Sequence, residues 1–473
     1  MKGLGLALVV LVTLSLFLAA GCPPVQVPDP EEASPAVAVV GPRNVIFFHP
    51  DGYGLSHWNI LRFWLVGPDG RLNWDRLSHM APYTEHMRDA LTAGSHGGAT
   101  VHAYGVKVAW DSFGLDKHEV ITALSGRQMS IMEEAIQAGF ATALIQTGCI
   151  TEPGTAAFVA SVEDRRMKEE IARQVIESGV DVILSGGERY LLPAGVIGRH
   201  GKKGERTDGL NLIERAKELG YTVVYNRDEL KAAVGRTTKV LGVFAHRHTF
   251  NDRTEERLRA EGLPHYWPEA PTIAEMAAAT LEIFARYPKA TTNGFFIVAE
   301  DEGTDNFGNV ANSIGSFEAG KRADEAFGVF ADFVEQNPNT LLITAADSSA
   351  GAKNILGPGP EALKRHLEEH GGNVGKIGFN TGPDGEWVLV PLDGIDGAGT
   401  APFLAAPDKA GNRLPFAVAT VSADVSGSIV ARAMGLNAEL VTRLGVVDNT
   451  DIYRIMYYTL FEEWLGKAEI VTP

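Results

Sequence analysis

Acidic side chains closely follow three of the most apolar runs in the sequence. These acids are Asp51, Glu300, Asp305 and Asp347. The carboxyl ends of neighbouring strands in an open α/β sheet face a common crevice, so we expect the four carboxylates to converge there. Carboxylates packed together repel one another unless cations neutralise them. The pattern therefore predicts a divalent-metal cluster, although any one of these acids taken alone is equally well explained by helix capping or solvent exposure.

A serine at the predicted start of a helix is the second chemical feature. In the segment Thr92–Val108, Ser95 comes just before a run of small residues. Free backbone N–H groups at such a helix start would hold an anion, and a serine placed there can attack an electrophile. The sequence has no G-x-S-x-G motif and no evident Ser-His-Asp set. We therefore predict a metal-activated nucleophile, with simple N-capping by Ser95 as the alternative.

Alternating strands and helices must position these groups. The predicted strands are Asn44–Phe48, Ala141–Gln146, Val180–Leu184, Tyr221–Tyr225, Phe295–Ala299 and Thr340–Ala345. The predicted helices are Met129–Gln137, Arg165–Ile176, Leu212–Leu219, Pro271–Tyr287 and Ala323–Glu335. This alternation predicts an α/β fold with a mainly parallel central sheet flanked by helices on both faces. The Gly- and Pro-rich residues 356–415 predict a small insertion or accessory subdomain.

The N-terminal region predicts export and anchoring. Met1–Leu18 is one lysine and an apolar stretch, and Ala19-Ala20-Gly21-Cys22 follows. This resembles a bacterial lipoprotein signal at residues 1–21 whose cleavage leaves Cys22 lipidated, the alternative being an ordinary secretory signal. Residues 22–42, rich in proline and acid, predict a tether to a catalytic domain at 43–466. The expected location is the cell envelope, at the periplasmic face of a bacterial membrane.

Composition excludes several classes of function. The chain has 473 residues, with 42 Lys and Arg against 59 Asp and Glu, so its formal net charge is −17. Such an acidic chain is not expected to bind nucleic acid, because that affinity depends on clustered cations. Two cysteines cannot form a disulfide scaffold or a structural zinc finger. If Cys22 carries lipid, Cys149 has no partner.

Several segments, taken in order, resemble the alkaline phosphatase family. Pro50–Gly54 stands where the family has Gly-Asp-Gly-Met-Gly, and Ser95 precedes Gly105-Val106-Lys107 at the family's spacing. Thr155–Arg165 resembles the segment that ends in the family's phosphate-gripping arginine. Further similar segments are Ile183–Tyr190, Leu241–Ala245, Pro271–Met276, Phe295–Asp305, Thr340–Asp347 and Asp448–Phe461.

The resemblance implies metal-dependent hydrolysis of phosphate monoesters through a phosphoserine on Ser95, with Arg165 gripping the phosphate. It implies two or three divalent ions, magnesium and zinc among them, and a homodimer. The metal ligands that it implies, some directly and some by neighbouring positions, are Asp51, Glu152, Thr155, Glu300, Asp305, Asn309, Asp347 and Ser348. A phosphodiesterase or a sulfatase on the same scaffold, or a non-catalytic phosphate- or metal-binding lipoprotein, is the alternative.

The sequence departs from the family pattern at the metal ligands. Asn309 and Ser348 stand where the family has histidines, and Phe416–Gly427 lacks the third. Because oxygen ligands favour harder ions than zinc, magnesium, calcium or manganese is expected at these positions. Asp424 or Ser422 could replace the third histidine.

Further departures lie near the nucleophile. Gly94 replaces the family's acid before the serine, Glu152 replaces an Asp or His, and Gly154 takes a threonine position beside Thr155. Nearby groups that could serve as compensating ligands are His49, His96, His102, His246, His248 and Asp252. His246 and His248 would share one face if their segment were extended.

Overall fold

The computed structural model describes residues 41–356, 376–381, 387–394, 397, 402–426 and 428–467. The predicted signal peptide, the lipidation site at Cys22 and all but the last two residues of the tether lie outside these ranges. No helix within them has the length and apolar character needed to span a membrane. Cys149 is buried and has a free thiol.

A ten-stranded sheet forms the centre of the described structure. Its strands are β1 (Arg43–Pro50), β2 (His79–Thr84), β3 (Ala141–Cys149), β4 (Val182–Gly186), β5 (Thr222–Val224), β6 (Val240–Val243), β7 (Gly294–Asp301), β8 (Thr340–Thr344), β9 (Val430–Gly435) and β10 (Val447–Asp448). Their order across the sheet is β10-β2-β9-β8-β1-β7-β3-β4-β6-β5. The seven strands from β8 to β5 are parallel, and β9 runs antiparallel to both of its neighbours.

Helices surround this sheet. They are α1 (Leu55–Val66), α2 (Ser95–Tyr104), α3 (Ile131–Gln137), α4 (Pro153–Ala156), α5 (Lys168–Glu177), α6 (Leu212–Glu218), α7 (Arg227–Ala233), α8 (Glu255–Glu261), α9 (Ile273–Ala285), α10 (Pro288–Asn293), α11 (Gly303–Asn309), α12 (Ser313–Gln336), α13 (Glu439–Arg443) and α14 (Asn449–Phe461). Two short 3₁₀ turns occupy Asn73–Arg76 and Glu188–Tyr190.

The sides of β1 show that both faces of the sheet are covered. Val45 and Phe47 belong to one buried hydrophobic cluster, whereas Ile46 and Phe48 belong to another. Successive side chains of a strand point to opposite faces, so each face of the sheet has its own core. The predicted mainly parallel sheet with helices on both faces is confirmed.

All six predicted strands lie in this sheet, and all five predicted helices form. One helix is longer than predicted, because α12 begins at Ser313 and not near Ala323. Its first turns contain Gly315 and Gly320, which interrupt the apolar periodicity. The start is fixed by a cap, since the Asn312 side chain accepts a 2.7 Å hydrogen bond from the Gly315 N–H.

Short strands outside the central sheet include a second, antiparallel sheet. It contains Asn354–Leu356, Lys376–Thr381, Trp387–Asp393, Phe403–Leu404 and Pro415–Ala419. Two further strand pairs are Leu115–Asp116 with Glu119–Val120 and Ser349–Ala350 with Asp424–Val425. The last pair brings Asp424 to the segment that follows β8. The proposed insertion boundaries at 356 and 415 stay a prediction.

Candidate metal centre and nucleophile

Three neighbouring parallel strands deliver buried acids to one edge of the sheet. Asp51 follows β1, Glu300 lies at the end of β7, and Asp347 follows β8. The β1 and β7 strands are in register at His49 and Glu300, and the Asp51 N–H donates to the Asp301 carbonyl at 3.2 Å. The parallel pairing therefore brings together acids that are far apart in the sequence.

Asp51, Glu300 and Glu302 form the tightest group of possible metal ligands. One carboxylate oxygen from each lies within 4.8 Å of the other two, and all three residues are buried. Sequence reasoning missed Glu302 because the family spacing pointed to Glu300 and Asp305. The signal was nevertheless present, since Glu302 belongs to the same run of acids as Glu300, directly after the apolar residues of the strand.

The chemistry of these acids fits bound divalent cations. Both carboxylate oxygens of Asp51, Glu300 and Asp347 are buried without a hydrogen-bond partner in the described structure, as is Oε2 of Glu302. Burial first, and the charges of neighbouring acids second, raise the pKa of Asp51, Glu300 and Glu302 well above the usual range. An anion buried without a donor or a counterion is unfavourable, and a divalent ion removes that penalty.

A second group of oxygen donors lies beside the first. The Asn309 Nδ2 donates to both carboxylate oxygens of Asp305, at 3.1 and 3.0 Å, and to Asp424 Oδ1 at 3.1 Å. Burial and the charge of Asp424 raise the pKa of Asp305 well above its usual range. Ser348 is buried next to Asp347, whereas Ser422 is exposed. Of the two alternatives for the missing third histidine, the structure brings Asp424 to this group.

Ser95 is the first residue of α2, and Gly94 occupies the N-cap position. Ser95 is therefore not the capping residue, and its side chain is half-buried. The first turn of α2 packs on Asp347, one of the candidate metal ligands, because a Cβ on Gly98 would lie 2.7 Å from the Asp347 Cβ. Only glycine allows that approach without displacing Asp347. The helix start, with its free N–H groups, thus lies against the acidic cluster.

Arg165 is held by two partners near Ser95. Its Nη2 donates to Glu152 Oε2 at 3.4 Å, and its Nη1 lies 3.4 Å from His96 Nδ1. Burial and the charge of Arg165 lower the pKa of His96 to about 4, so the neutral imidazole can accept this hydrogen bond. Although burial favours the protonated acid, the charges of Lys168, His248 and Arg165 lower the pKa of Glu152. The contact between His96 and Arg165 had no specific signal in the sequence.

The family's threonine position has no room for a side chain. A Cβ on Gly154 would lie 1.7 Å from Glu300 Oε1, and the Gly154 carbonyl lies 3.1 Å from His49 Nε2. The adjacent Thr155 is buried, and its hydroxyl accepts a hydrogen bond from Gln146 Nε2. Thr155 thus faces Gln146, and its role as a metal ligand stays a prediction.

Among the candidate histidines, His49 borders the three-acid group, because its Nε2 lies 3.9 Å from Glu300 Oε1. Two others have partners elsewhere in the described structure. His102 Nε2 lies 2.7 Å from the Tyr83 hydroxyl, and His248 Nδ1 accepts from the Cys149 N–H at 3.2 Å. The segment with His246 and His248 follows the end of β6 at Val243 and is not a strand. His246 and His248 are expected to share one face only if their segment forms an extended strand, and it does not.

Fold and site together define an α/β protein with a carboxylate-lined site suited to divalent metals and an adjacent serine at a helix start. The chain belongs to the alkaline phosphatase family, because the family model described as "Alkaline phosphatase" matches residues 42–460. The resemblance drawn from the sequence motifs is confirmed.

Relatives carry the same family name or a related one. The streptomycin-6-phosphate phosphatase of Streptomyces griseus is 27% identical over 420 residues, covering 81% of this chain and 88% of that protein. The repressible alkaline phosphatase of Saccharomyces cerevisiae is 27% identical over 329 residues, covering 65% of this chain and only 55% of the yeast protein. Membership of this family supports hydrolysis of the phosphatase type.

Solved structures show the same fold. The alkaline phosphatase of Thermus thermophilus has a TM-score of 0.65 at 21% identity, covering 94% of this chain and 96% of that chain. The enzyme of the Antarctic bacterium TAB5 has a TM-score of 0.61 at 17% identity, covering 89% and 98%. At these identities the likeness concerns the fold alone.

Proposed function

We propose that this protein hydrolyses phosphate monoesters through a phosphoserine intermediate on Ser95. One observation carries the proposal: the helix that starts at Ser95 packs on Asp347. Asp347 lies at the same edge of the sheet as Asp51 and Glu300. A nucleophile, an anion-binding helix start and ligands for divalent ions are thereby combined in one place.

In the proposed reaction, the Ser95 Oγ bonds to phosphorus while the ester P–O bond breaks. The alcohol departs with a proton from solvent, and the serine proton is released to water. A water molecule then attacks the phosphoserine, freeing inorganic phosphate and restoring the hydroxyl. Arg165 and the N–H groups of the first turn of α2 would hold the nonbridging oxygens throughout. Divalent ions held by Asp51, Glu300, Glu302 and Asp347 would lower the pKa of the serine hydroxyl and balance the phosphate charge.

Rates on three esters test this proposal. We expect the highest kcat/KM on an aryl phosphate monoester, compared with the matching diester and sulfate ester, in protein supplied with divalent ions. Faster turnover of the diester or the sulfate would assign the protein to one of those alternatives. No turnover of any ester with any ion would favour a non-catalytic binding protein.

We propose further that the group of Asp305, Asn309 and Asp424 binds a hard ion. Its donors are all oxygens once the Asn309 amide turns its carbonyl inward, and such donors suit magnesium, manganese or calcium better than zinc. Chelator-stripped protein should therefore bind one of these ions at least as well as zinc, as measured by calorimetry and elemental analysis.

Asn309→His should shift this preference towards zinc, because imidazole is a good zinc ligand. Asn412→His is the matched control, since it adds a histidine to an exposed turn that is held by Asp408. Zinc binding that is strongest in the unaltered chain, or that rises equally in both variants, would contradict the assignment.

The predicted anchoring also stays a proposal. We propose that the mature chain begins at a lipidated Cys22 on the periplasmic face of a bacterial membrane and that it forms a homodimer, as the family resemblance implies. The mass of the mature N-terminal peptide checks the first point, and sedimentation of the purified protein checks the second.

A further inference from the structure

Trp110 is a large aromatic side chain on the surface next to the nucleophile. It is 42% exposed, although an indole gains more from burial than almost any other side chain. Its backbone is nevertheless anchored, because its N–H donates to Asp89 Oδ1 at 2.7 Å. The residue is therefore held in place while part of its ring faces solvent.

One side of the indole packs on the residue before Ser95. A Cβ on Gly94 would lie 3.0 Å from Cζ2, 3.2 Å from Cε2 and 3.3 Å from Nε1 of Trp110. A longer side chain at this position would therefore push the indole away. This contact gives a physical reason for the departure at Gly94, where the family pattern has an acid: a carboxylate beside the nucleophile is exchanged for an aromatic ring.

The indole also packs on His96, which contacts Arg165, the proposed phosphate-binding residue. The Trp110 and His96 rings lie 5.0 Å apart between centroids and meet edge to face at 78°. His96 in turn contacts Arg165 through Nδ1. Trp110 thus contacts Gly94, which directly precedes Ser95 in the sequence. It also contacts His96, which in turn contacts Arg165.

From these contacts we propose that Trp110 binds the organic group of the substrate and gives the protein a preference for phosphate esters of aromatic or ring-bearing alcohols. The inference rests on the proposed function, since it assumes that phosphate is held between Ser95 and Arg165. A flat apolar group attached to that phosphate can stack on the exposed indole, whereas a methyl group is too small to cover it.

Trp110→Ala tests this inference on two substrates. We expect kcat/KM on phenyl phosphate to fall about tenfold, and kcat/KM on methyl phosphate and inhibition by inorganic phosphate to change less than about twofold. Trp110→Phe should retain most of the preference because it keeps an aromatic face. Leu91→Ala removes another exposed apolar side chain, one that is 85% exposed, and should have no effect.

Binding of phenylphosphonate and methylphosphonate gives a second readout that needs no turnover, because neither has an ester bond to break. Weaker binding of the phenyl compound alone in Trp110→Ala supports the inference even if the wild-type chain hydrolyses nothing, in which case only the proposed function fails. Equal losses for both compounds would show that Trp110 merely supports the fold near Gly94, and unchanged binding of both would show that it does not contact the ligand. Either result would overturn the inference.

Discussion

Ser95→Ala should lower kcat on an aryl phosphate by about 10⁴-fold or more, while inorganic phosphate still binds. The substitution removes the atom that forms the bond to phosphorus and leaves Arg165 and the backbone N–H groups of α2 in place. Because alanine forms helices well and the side chain is half-buried, the fold should be unaffected. Steady-state kinetics and phosphate titration by calorimetry measure the two effects separately.

The intermediate itself offers a direct check. Wild-type protein that is quenched in acid during turnover should carry one added phosphoryl group on the peptide containing Ser95, and the Ser95→Ala protein should carry none. Ser178→Ala is the control, because that serine lies at a helix end, where its hydroxyl donates to the Val175 carbonyl and accepts from the Val180 N–H. A Ser95→Ala protein with wild-type turnover would exclude the mechanism.

Glu302→Gln should stabilise the metal-free protein and reduce the stability that the protein gains from metal ions. In chelator-treated protein the change should stabilise the fold by on the order of 1 to 3 kcal/mol, because it removes one of three repelling buried charges. In the presence of magnesium the variant should gain less stability than the wild type, because one ligand is weaker. Activity should fall about 100-fold or more.

Thermal unfolding with chelator and with magnesium distinguishes a metal ligand from a structural acid. Glu325→Gln, on the exposed side of α12, is the matched control and should change neither curve. If stripped Glu302→Gln protein is less stable than the wild type and gains as much from magnesium, then Glu302 does not bind the ion.

The sheet and most of its acids could be predicted because the signal was local. Apolar runs such as Phe295–Ala299 predict buried strands, and a parallel sheet places all of its strand ends on one edge. Asp51, Glu300 and Asp347 therefore converge without any knowledge of the loops.

Other parts of the site depend on contacts that carry no local pattern. Asp424 reaches Asn309 through a pair of two-residue strands, which are too short to show any periodicity. Trp110 and His96 come together because a loop folds back on α2. The closeness of Gly98 to Asp347 likewise appears only when the helix is packed against the sheet.

The position of β1 also bears on the order of folding. β1 pairs with β7 on one side and β8 on the other, and the Asn44 side chain bonds that of Thr340, a residue 296 positions later. Pairing over such a distance must wait for the intervening chain, so folds of this kind assemble slowly. The acids from these strands meet only after β8 has joined the sheet. Uptake of a divalent ion by refolding protein should therefore mark the last stage of assembly and could serve as its kinetic probe.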